Sequence, residues 1–581
     1  MSTPDDIRTK AAAAIRVPPF LLRLPDNVRQ TVQTVALSLA AGLSAVAFLF
    51  LTNLLFDKTY VAFAARSKLF FIVSSFALIV TASGLVGLLL KACGPEAAGS
   101  GIPQVKSAFW KELGHIGARP VLAKFLGGVL SIGGGQSLGR EGPSVYIGAG
   151  VASNASGLLG TPRRERRGAA IVGASAGLAA AFNTPLAAVA FAIEEVIGDL
   201  NSRFLGRVVL ASVIGAFVVY ALLGRQPAFL LPSVENVSWL HYAAVPVVAF
   251  VAATVGRLFQ ASALGLRGRL ARRTRVPLWL LPVFGGVLTW ALGVTAFLVT
   301  GKLGVFGLGY RDLSSALTNA FDWRVAGLLV VAKLAATVFS YGFGAVGGIF
   351  APSLFLGGMS GYFLAGLIGL WLPLTPADQI VLSAVGMSAC LGAIVRAPLT
   401  SMLIVFEMTH QFALVPGLLL GTIVSQAVAR LRGPLNFYDA LLVQDGHELH
   451  KVRPPLDLQG WQNLPVSAIA NPRPIVVTDL SAGALKRTIE KHPFAQFPVV
   501  VDGRLSGVVG RTDIESALRT GEPPGVRRGV TCHPDQTVRE VGDKFIESPS
   551  NILVVVDREG EAVVGIITLH DLIRAQASIQ S

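Results

Sequence analysis

Charge is scarce in this 581-residue chain: Asp, Glu, Lys and Arg together make up 14%, against 52% hydrophobic residues. A soluble globular domain carries roughly 25% charged residues, so an ordinary soluble enzyme or binding module is excluded for most of the length. Cysteine is scarcer still. Cys93, Cys390 and Cys532 lie far apart, which excludes a disulfide framework and a ligand-spaced metal site. No cluster of His, Cys and carboxylates has catalytic spacing, so no enzyme, metal or required cofactor is expected. The net charge of +15 could signal nucleic acid, but much of it falls in Arg163–Arg167 and Arg267–Arg275, read as short basic loops between apolar segments. The positive-inside rule explains such loops more simply, and no nucleic-acid partner is expected. The first 17 residues have charges and an alanine run but no apolar core before a small-residue cleavage site, unlike a cleaved signal peptide.

Glycine and long apolar runs, in contrast, are abundant. After a mixed polar entry at 24–32, residues 35–56 and 70–90 are each long enough to span a bilayer at about 20 residues per crossing. From Pro120 onward, 63 glycines and 32 prolines in the whole chain contribute breaks too frequent for a simple bundle, the sign of discontinuous helices around a midplane site. Gly139-Arg-Glu-Gly-Pro143 stands out because it places a carboxylate, Glu141, inside an apolar region. An ionisable residue at bilayer depth usually faces a cavity or an ion path. Pro143 suits a helix start, and the partial positive charge of that start attracts anions, so Glu141 can compete with one. At Gly99-Ser-Gly-Ile-Pro103 the Ser100 hydroxyl is equally readable as an anion donor or as an ordinary N-cap.

An internal repeat is visible. Lys124, Ser131, Gly133, Gly135, Gly139, Pro143 and Gly148 recur 209 positions later as Lys333, Ser340, Gly342, Gly344, Gly348, Pro352 and Gly357. Gly173, Ser175, Pro185, Leu186 and Glu194 recur 213 positions later as Gly386, Ser388, Pro398, Leu399 and Glu407. The offset is compatible with parallel or inverted halves, and inversion would let both helix starts converge on one point. Phe350 occupies the position of Glu141, so the second half offers bare backbone N–H groups at Gly347–Pro352 where the first offers a carboxylate. Acidic residues are few between 120 and 438, which favours an anion path over a cation path. Glu194 and Glu195 cannot share a role, because adjacent helical residues point about 100° apart. Glu407, the repeat partner of Glu194, marks Glu194 as structural, packing against backbone amides, and leaves Glu195 to face a path of its own.

Gly-Ser-Gly-Ile-Pro at 99–103, Gly-Arg-Glu-Gly-Pro at 139–143, Gly-Ile-Phe-Ala-Pro at 348–352 and Tyr438 together resemble the CLC family of chloride channels and proton/chloride exchangers. The likeness runs over roughly Leu24–Leu442. It implies an all-α polytopic membrane domain with an inverted repeat, and a homodimer with one pore per subunit. It implies further that Ser100 and Tyr438 donate hydroxyls to chloride, that Ile349 and Phe350 donate amides, and that Glu141 is the external gate. Exchangers carry a glutamate at the position of Glu195, passing protons to the inside, where animal channels carry an apolar residue. The chain lacks the proline that nitrate-preferring plant members place at Ser100, and the altered motifs of fluoride exporters.

Beyond Tyr438 the composition turns polar, then α/β. Residues 475–478, 497–501 and 508–510 read as strands and 484–491 as a helix, and the pattern recurs as strands 552–556 and 564–568 with a helix across 537–547. Gly507 and Asp513 recur 58 positions later as Gly565 and Asp571. This resembles a tandem pair of CBS modules. Such pairs often bind adenine nucleotides through a hydroxyl and an Asp, which implies Thr568 and Asp571, with Asp513 in the first copy beside Gly510, where the hydroxyl is missing.

The expected organisation is a cytosolic segment 1–30, a transport domain 31–442 with repeats 31–225 and 240–442, a linker 443–463, and CBS modules 464–520 and 524–578 in the cytosol. The expected activity is exchange of chloride for protons across a cytoplasmic (inner) membrane. The alternatives are a passive, voltage- or pH-gated chloride channel on the same fold and, less favoured, a membrane-anchored nucleotide sensor. Expected partners are chloride, protons, membrane lipid and a second copy of the chain.

Overall fold

The computed structural model describes residues 25–163, 166–198, 204–224, 229, 231, 234, 241–273, 276–431, 433, 435–447, 464–548, 550–558 and 562–572. The chain divides into two compact units, Met1–Val452 and Arg453–Ser581.

The described residues of the first unit are mostly helical, and nine helices among them are long and apolar enough to cross a membrane. The first, Asp26–Phe56, follows Pro25 and therefore begins within the stretch read as a polar entry; its first turns are largely exposed, where polar side chains cost a helix little. The second, Lys68–Cys93, is capped by Ser67, whose hydroxyl accepts the Phe70 N–H. The basic stretch read as a loop at 267–275 is instead mostly helix. His241–Arg273 runs through it, because arginines suit a helix C-terminus and their long stems reach water. Arg267 pairs there with Asp445 at 2.6 Å.

Helices occur in equivalent pairs. Ala118–Gly133 corresponds to Trp323–Gly342, Glu141–Leu158 to Phe350–Ile368, Arg167–Phe182 to Pro376–Val395, and Pro185–Phe191 to Pro398–Thr409. Local chemistry is repeated too. Asn183 and Arg396, 213 apart, both adopt left-handed backbone (φ 60° and 59°) and end a helix two residues before the prolines that open the next one. Buried Lys124 and Lys333 each cap two loop carbonyls, Ala98 and Gly99 for one, Val305 and Gly307 for the other. Each ammonium also lies 5.3 Å from the centre of an aromatic ring, Tyr146 or Phe355, again 209 apart.

Contacts between the halves are reciprocal, as a two-fold axis requires. Gly139 and Gly348 exchange both backbone hydrogen bonds, at 2.7 and 2.6 Å, in an antiparallel bridge. Ser131 Oγ accepts the Val346 N–H at 3.1 Å, and Ser340 Oγ accepts the Ser137 N–H at 3.0 Å. Helix crossings within each half rest on missing side chains: a Cβ at Gly148 or Gly173 would collide with the backbone of the other, as at Gly357 and Gly386. Large apolar side chains such as Phe50, Leu88, Phe217 and Ile423 remain on the outer surface, as a lipid-facing rim does.

The second unit holds two small modules. Strands β1 (Gln496–Val501) and β2 (Arg504–Gly510) form a hairpin turned at Asp502-Gly503, both with positive φ. Strand β3 (Thr531–Cys532) runs parallel to β4 (Ile552–Val556), which pairs antiparallel with β5 (Val563–Thr568). The expected strand at 475–478 forms only a single bridge, Val477 to Val499, too short a pairing to make a ladder. Helices Ala482–Lys491 and Val538–Glu547 stand where the apolar stripes placed them, and Thr537 and Glu540 form a capping box. Leu505 and Val508 of the first module pack with Ile552, Val554 and Val556 of the second.

Candidate functional site

Breaks in the apolar helices bring four chain segments to one point. The Gly139–Gly348 bridge sets the starts of Glu141–Leu158 and Phe350–Ile368 face to face. The Glu141 side chain leaves its own helix and crosses to the other: its Oε2 accepts the Ala351 N–H at 3.3 Å, and its Oε1 accepts the Tyr310 hydroxyl at 2.7 Å. It is fully buried. A carboxylate at a helix start takes up the free N–H groups and the positive end of the dipole, the place an anion would seek. Ile349 and Phe350 are the N-cap and first residue of that same helix.

Ser100 packs against this point from the other side, where a Cβ on Gly142 would collide with its hydroxyl. It is not a helix cap, because Gly101, with a φ of 95°, takes the N-cap position of Ile102–Lys111. The Phe350 and Tyr438 rings stack with centres 6.4 Å apart. Ser100 Oγ and Tyr438 OH are buried without a hydrogen-bond partner among the described residues. Orphaned buried hydroxyls are costly, and two beside a helix start with free amides suit a small anion that accepts from all of them.

Two cavities adjoin the point. One, of about 370 Å³, is lined by Arg140, Lys302, Arg311 and Tyr310 beside Glu141. The other, of about 410 Å³, is lined by Gly99, Ser107, Tyr341, Arg267 and Asp445.

Glu194 and Glu195 divide as their spacing predicted. Glu194 accepts the Leu399 and Thr400 N–H groups at 3.1 and 2.8 Å, while Glu407 accepts those of Leu186 and Ala187 at 2.9 and 2.7 Å. Each thus caps the short helix of the opposite half. Glu195 points elsewhere and is buried, with Lys106 Nζ at 2.7 Å and Asn436 Nδ2 at 3.1 Å. The segment carrying both, Ala192–Ile197, is a π-helical turn, whereas its counterpart stays α-helical to Thr409.

Sequence reasoning missed Tyr310, Lys106, Asn436 and Asp439. An offset of 208 matches Gly307 and Gly309 to Gly99 and Gly101, which would have pointed to Tyr310 at the next helix start, and an apolar helix bearing Lys106 was a signal for the second. In the second unit, Thr568 and Asp571 satisfy one another: Thr568 N and Oγ1 donate to Asp571 Oδ2 at 2.9 and 2.7 Å. Asp513 pairs with Arg527 at 3.3 Å.

Residues 76–430 match the family described as voltage gated chloride channel, and 466–520 and 526–578 each match the CBS domain. Over 369 residues, 61% of this chain and 76% of the relative, the sequence is 31% identical to the H(+)/Cl(-) exchange transporter ClcA of Cronobacter sakazakii. Among solved structures it is similar to a slow cyanobacterial Cl-/H+ antiporter (TM-score 0.64, 25% identity, covering 71% of this chain and 97% of that one). A eukaryotic CLC transporter shares the fold (TM-score 0.58, 20% identity, 93% and 98% covered), as does a CLC-type fluoride/proton antiporter (TM-score 0.58, 21% identity, 76% and 99% covered). The chain is therefore a multi-pass membrane protein of the voltage gated chloride channel (CLC) family with a C-terminal pair of CBS domains.

Proposed function

We propose that the protein is a secondary active antiporter that exchanges chloride for protons. The observation that carries this reading is the seating of Glu141 on the Ala351 amide, together with a second buried carboxylate, Glu195, on a separate route. Chloride binds between the Ser100 and Tyr438 hydroxyls and the Ile349 and Phe350 amides. Ionised Glu141 takes the anion's place at the helix start; protonated, it loses its attraction to that start and opens the outer path. Glu195 serves the proton alone, because the amides around the anion are donors only and the Ser100 and Tyr438 hydroxyls, turned to donate to chloride, are far weaker bases than a carboxylate. Arg267, near the basic C-terminal end of His241–Arg273, lines the cavity that Gly99 also lines, and by the positive-inside rule this supports a cytosolic side there; the CBS pair is read as cytosolic and the membrane as the inner one. The functional unit is a homodimer with residues 31–442 of each copy forming a pore.

One observation favours the passive channel instead: Lys106 holds Glu195 in an ion pair, and a paired carboxylate resists protonation. Reconstitution decides between them. In the antiport reading a chloride gradient drives protons uphill into liposomes; chloride flux with no proton movement identifies a channel.

Adenine nucleotide binding at Thr568 and Asp571 is the regulatory part of the proposal. A millimolar adenine nucleotide then raises the melting temperature of the full chain by mass action, and Asp571→Ala abolishes the rise. No rise in the wild type leaves the two modules structural.

A further inference from the structure

In the antiport reading, Glu195 must be protonated and deprotonated in each cycle, and Lys106 stands in the way. The Lys106 side chain is buried and bonds to Glu195 Oε1 at 2.7 Å. If Glu195 were its sole partner, protonation would strand an ammonium inside the protein, which is strongly unfavourable. Lys106 has a second partner. Its Nζ also lies 2.6 Å from Asp439 Oδ1, and the Asp439 side chain is 35% exposed where that of Glu195 is 3% exposed. Water at Asp439 supports its charge, so it can serve Lys106 while Glu195 is neutral.

We propose that Asp439 is a positioning residue for proton exchange, holding the Lys106 ammonium whenever Glu195 carries the proton. This rests on the antiport reading, with Glu195 as the inner proton carrier. The step balances without a further reactant. A proton from inner water bonds to a Glu195 oxygen, the Lys106 N–H···O contact to Glu195 is given up, and Lys106 keeps its three protons and its contact with Asp439.

The surroundings fit this division. Asn436 accepts the Asp439 N–H at 2.7 Å as cap of the final helix, Phe437–Gln444, and donates to both oxygens of Glu195. Tyr438 shares that helix. Glu194 is turned away to the Leu399 and Thr400 amides. Trp110 donates to Val196 O at 3.0 Å, and Arg167 reaches the Trp110 carbonyl. Arg396 faces Asp439 from the end of Pro376–Val395, with Arg257 and Arg430 near it, and donates to Ala429 O and Gly433 O. The device also touches the anion site at two points, since Lys106 follows Ser100 on one segment and Asp439 follows Tyr438 on the other.

The test is chloride-driven proton uptake by the full chain in liposomes, read as the proton-to-chloride ratio at neutral and at acid pH. Asp439→Asn should lower the ratio at neutral pH about tenfold, one pK unit of interaction, and recover toward wild type in acid. The double variant Lys106→Met/Asp439→Asn should recover it at neutral pH, because the stranded ammonium is gone. Asp439→Glu, which keeps the charge, should retain the ratio and supports the proposal even if Asp439→Asn folds poorly. A wild-type ratio in Asp439→Asn overturns the proposal. So does a double variant as impaired as Asp439→Asn, since Asp439 would then act through the Tyr438 helix alone. A wild type that moves chloride but no protons fails earlier and more broadly, removing the antiport reading and this proposal with it.

Discussion

The two halves of the membrane unit share a backbone plan and differ at two positions that matter. Where the first half opens a helix with Glu141, the second opens it with Phe350; where the first has Glu195, the position 213 further on is Met408, buried. Many of the groups that build the scaffold are duplicated: the buried lysines, the serines that accept amides across the axis, the glycines at the helix crossings, and the Glu194 and Glu407 caps. Both groups assigned to proton chemistry belong to one half. A two-fold scaffold brings two helix starts together cheaply, and a single-sided pair of carboxylates then gives the site a direction.

The largest effect is expected from making the two helix starts alike. Glu141→Gln keeps the shape of the side chain and removes its ionisation, so chloride flux should lose its dependence on pH and proton coupling should fall to background. A stopped liposome flux assay over a pH series reads both. A variant with the wild-type pH profile would take Glu141 out of the gate. The next comparison concerns the duplicated caps. Glu194→Gln and Glu407→Gln each weaken charge-assisted bonds to two amides, so each should cost about 1–3 kcal/mol. Equal drops in melting temperature in detergent would mark both as scaffold; loss of proton coupling with Glu194→Gln alone would break the equivalence. The smallest effect is expected at Ser100. Ser100→Pro deletes one hydroxyl donor, worth about 1 kcal/mol, so preference for chloride over nitrate should fall about five-fold. Unchanged selectivity would leave the Ile349 and Phe350 amides to set it unaided.

Much of this arrangement is legible in the chain because small residues and prolines mark backbone geometry directly. Gly139, Gly348, Pro143 and Pro352 announce helix starts, and the shared offset announces that they meet. The pairing of Glu194 with Glu407 follows from the same offset. The surroundings of Glu195 are not legible in that way. Lys106 and Asn436 reach it from positions 89 and 241 residues away, Asp439 joins through Lys106, and none of the three has a repeat partner to point at it. Nor does the composition of Ala192–Ile197 signal a π-helical turn, a local widening that accompanies the different directions taken by adjacent glutamates. The helical course of Arg267–Arg273 was hidden for another reason, since a charged run reads as a loop unless the end of a long helix is known to project from the bilayer.

The account turns on the claim that proton and anion use different groups on the inner side. Glu195→Val tests it most directly, in one liposome preparation where chloride and proton fluxes are recorded together. The predicted result is continued chloride movement with chloride-driven proton uptake abolished, against a wild type that shows both. Proton uptake persisting at the wild-type ratio in Glu195→Val would contradict it.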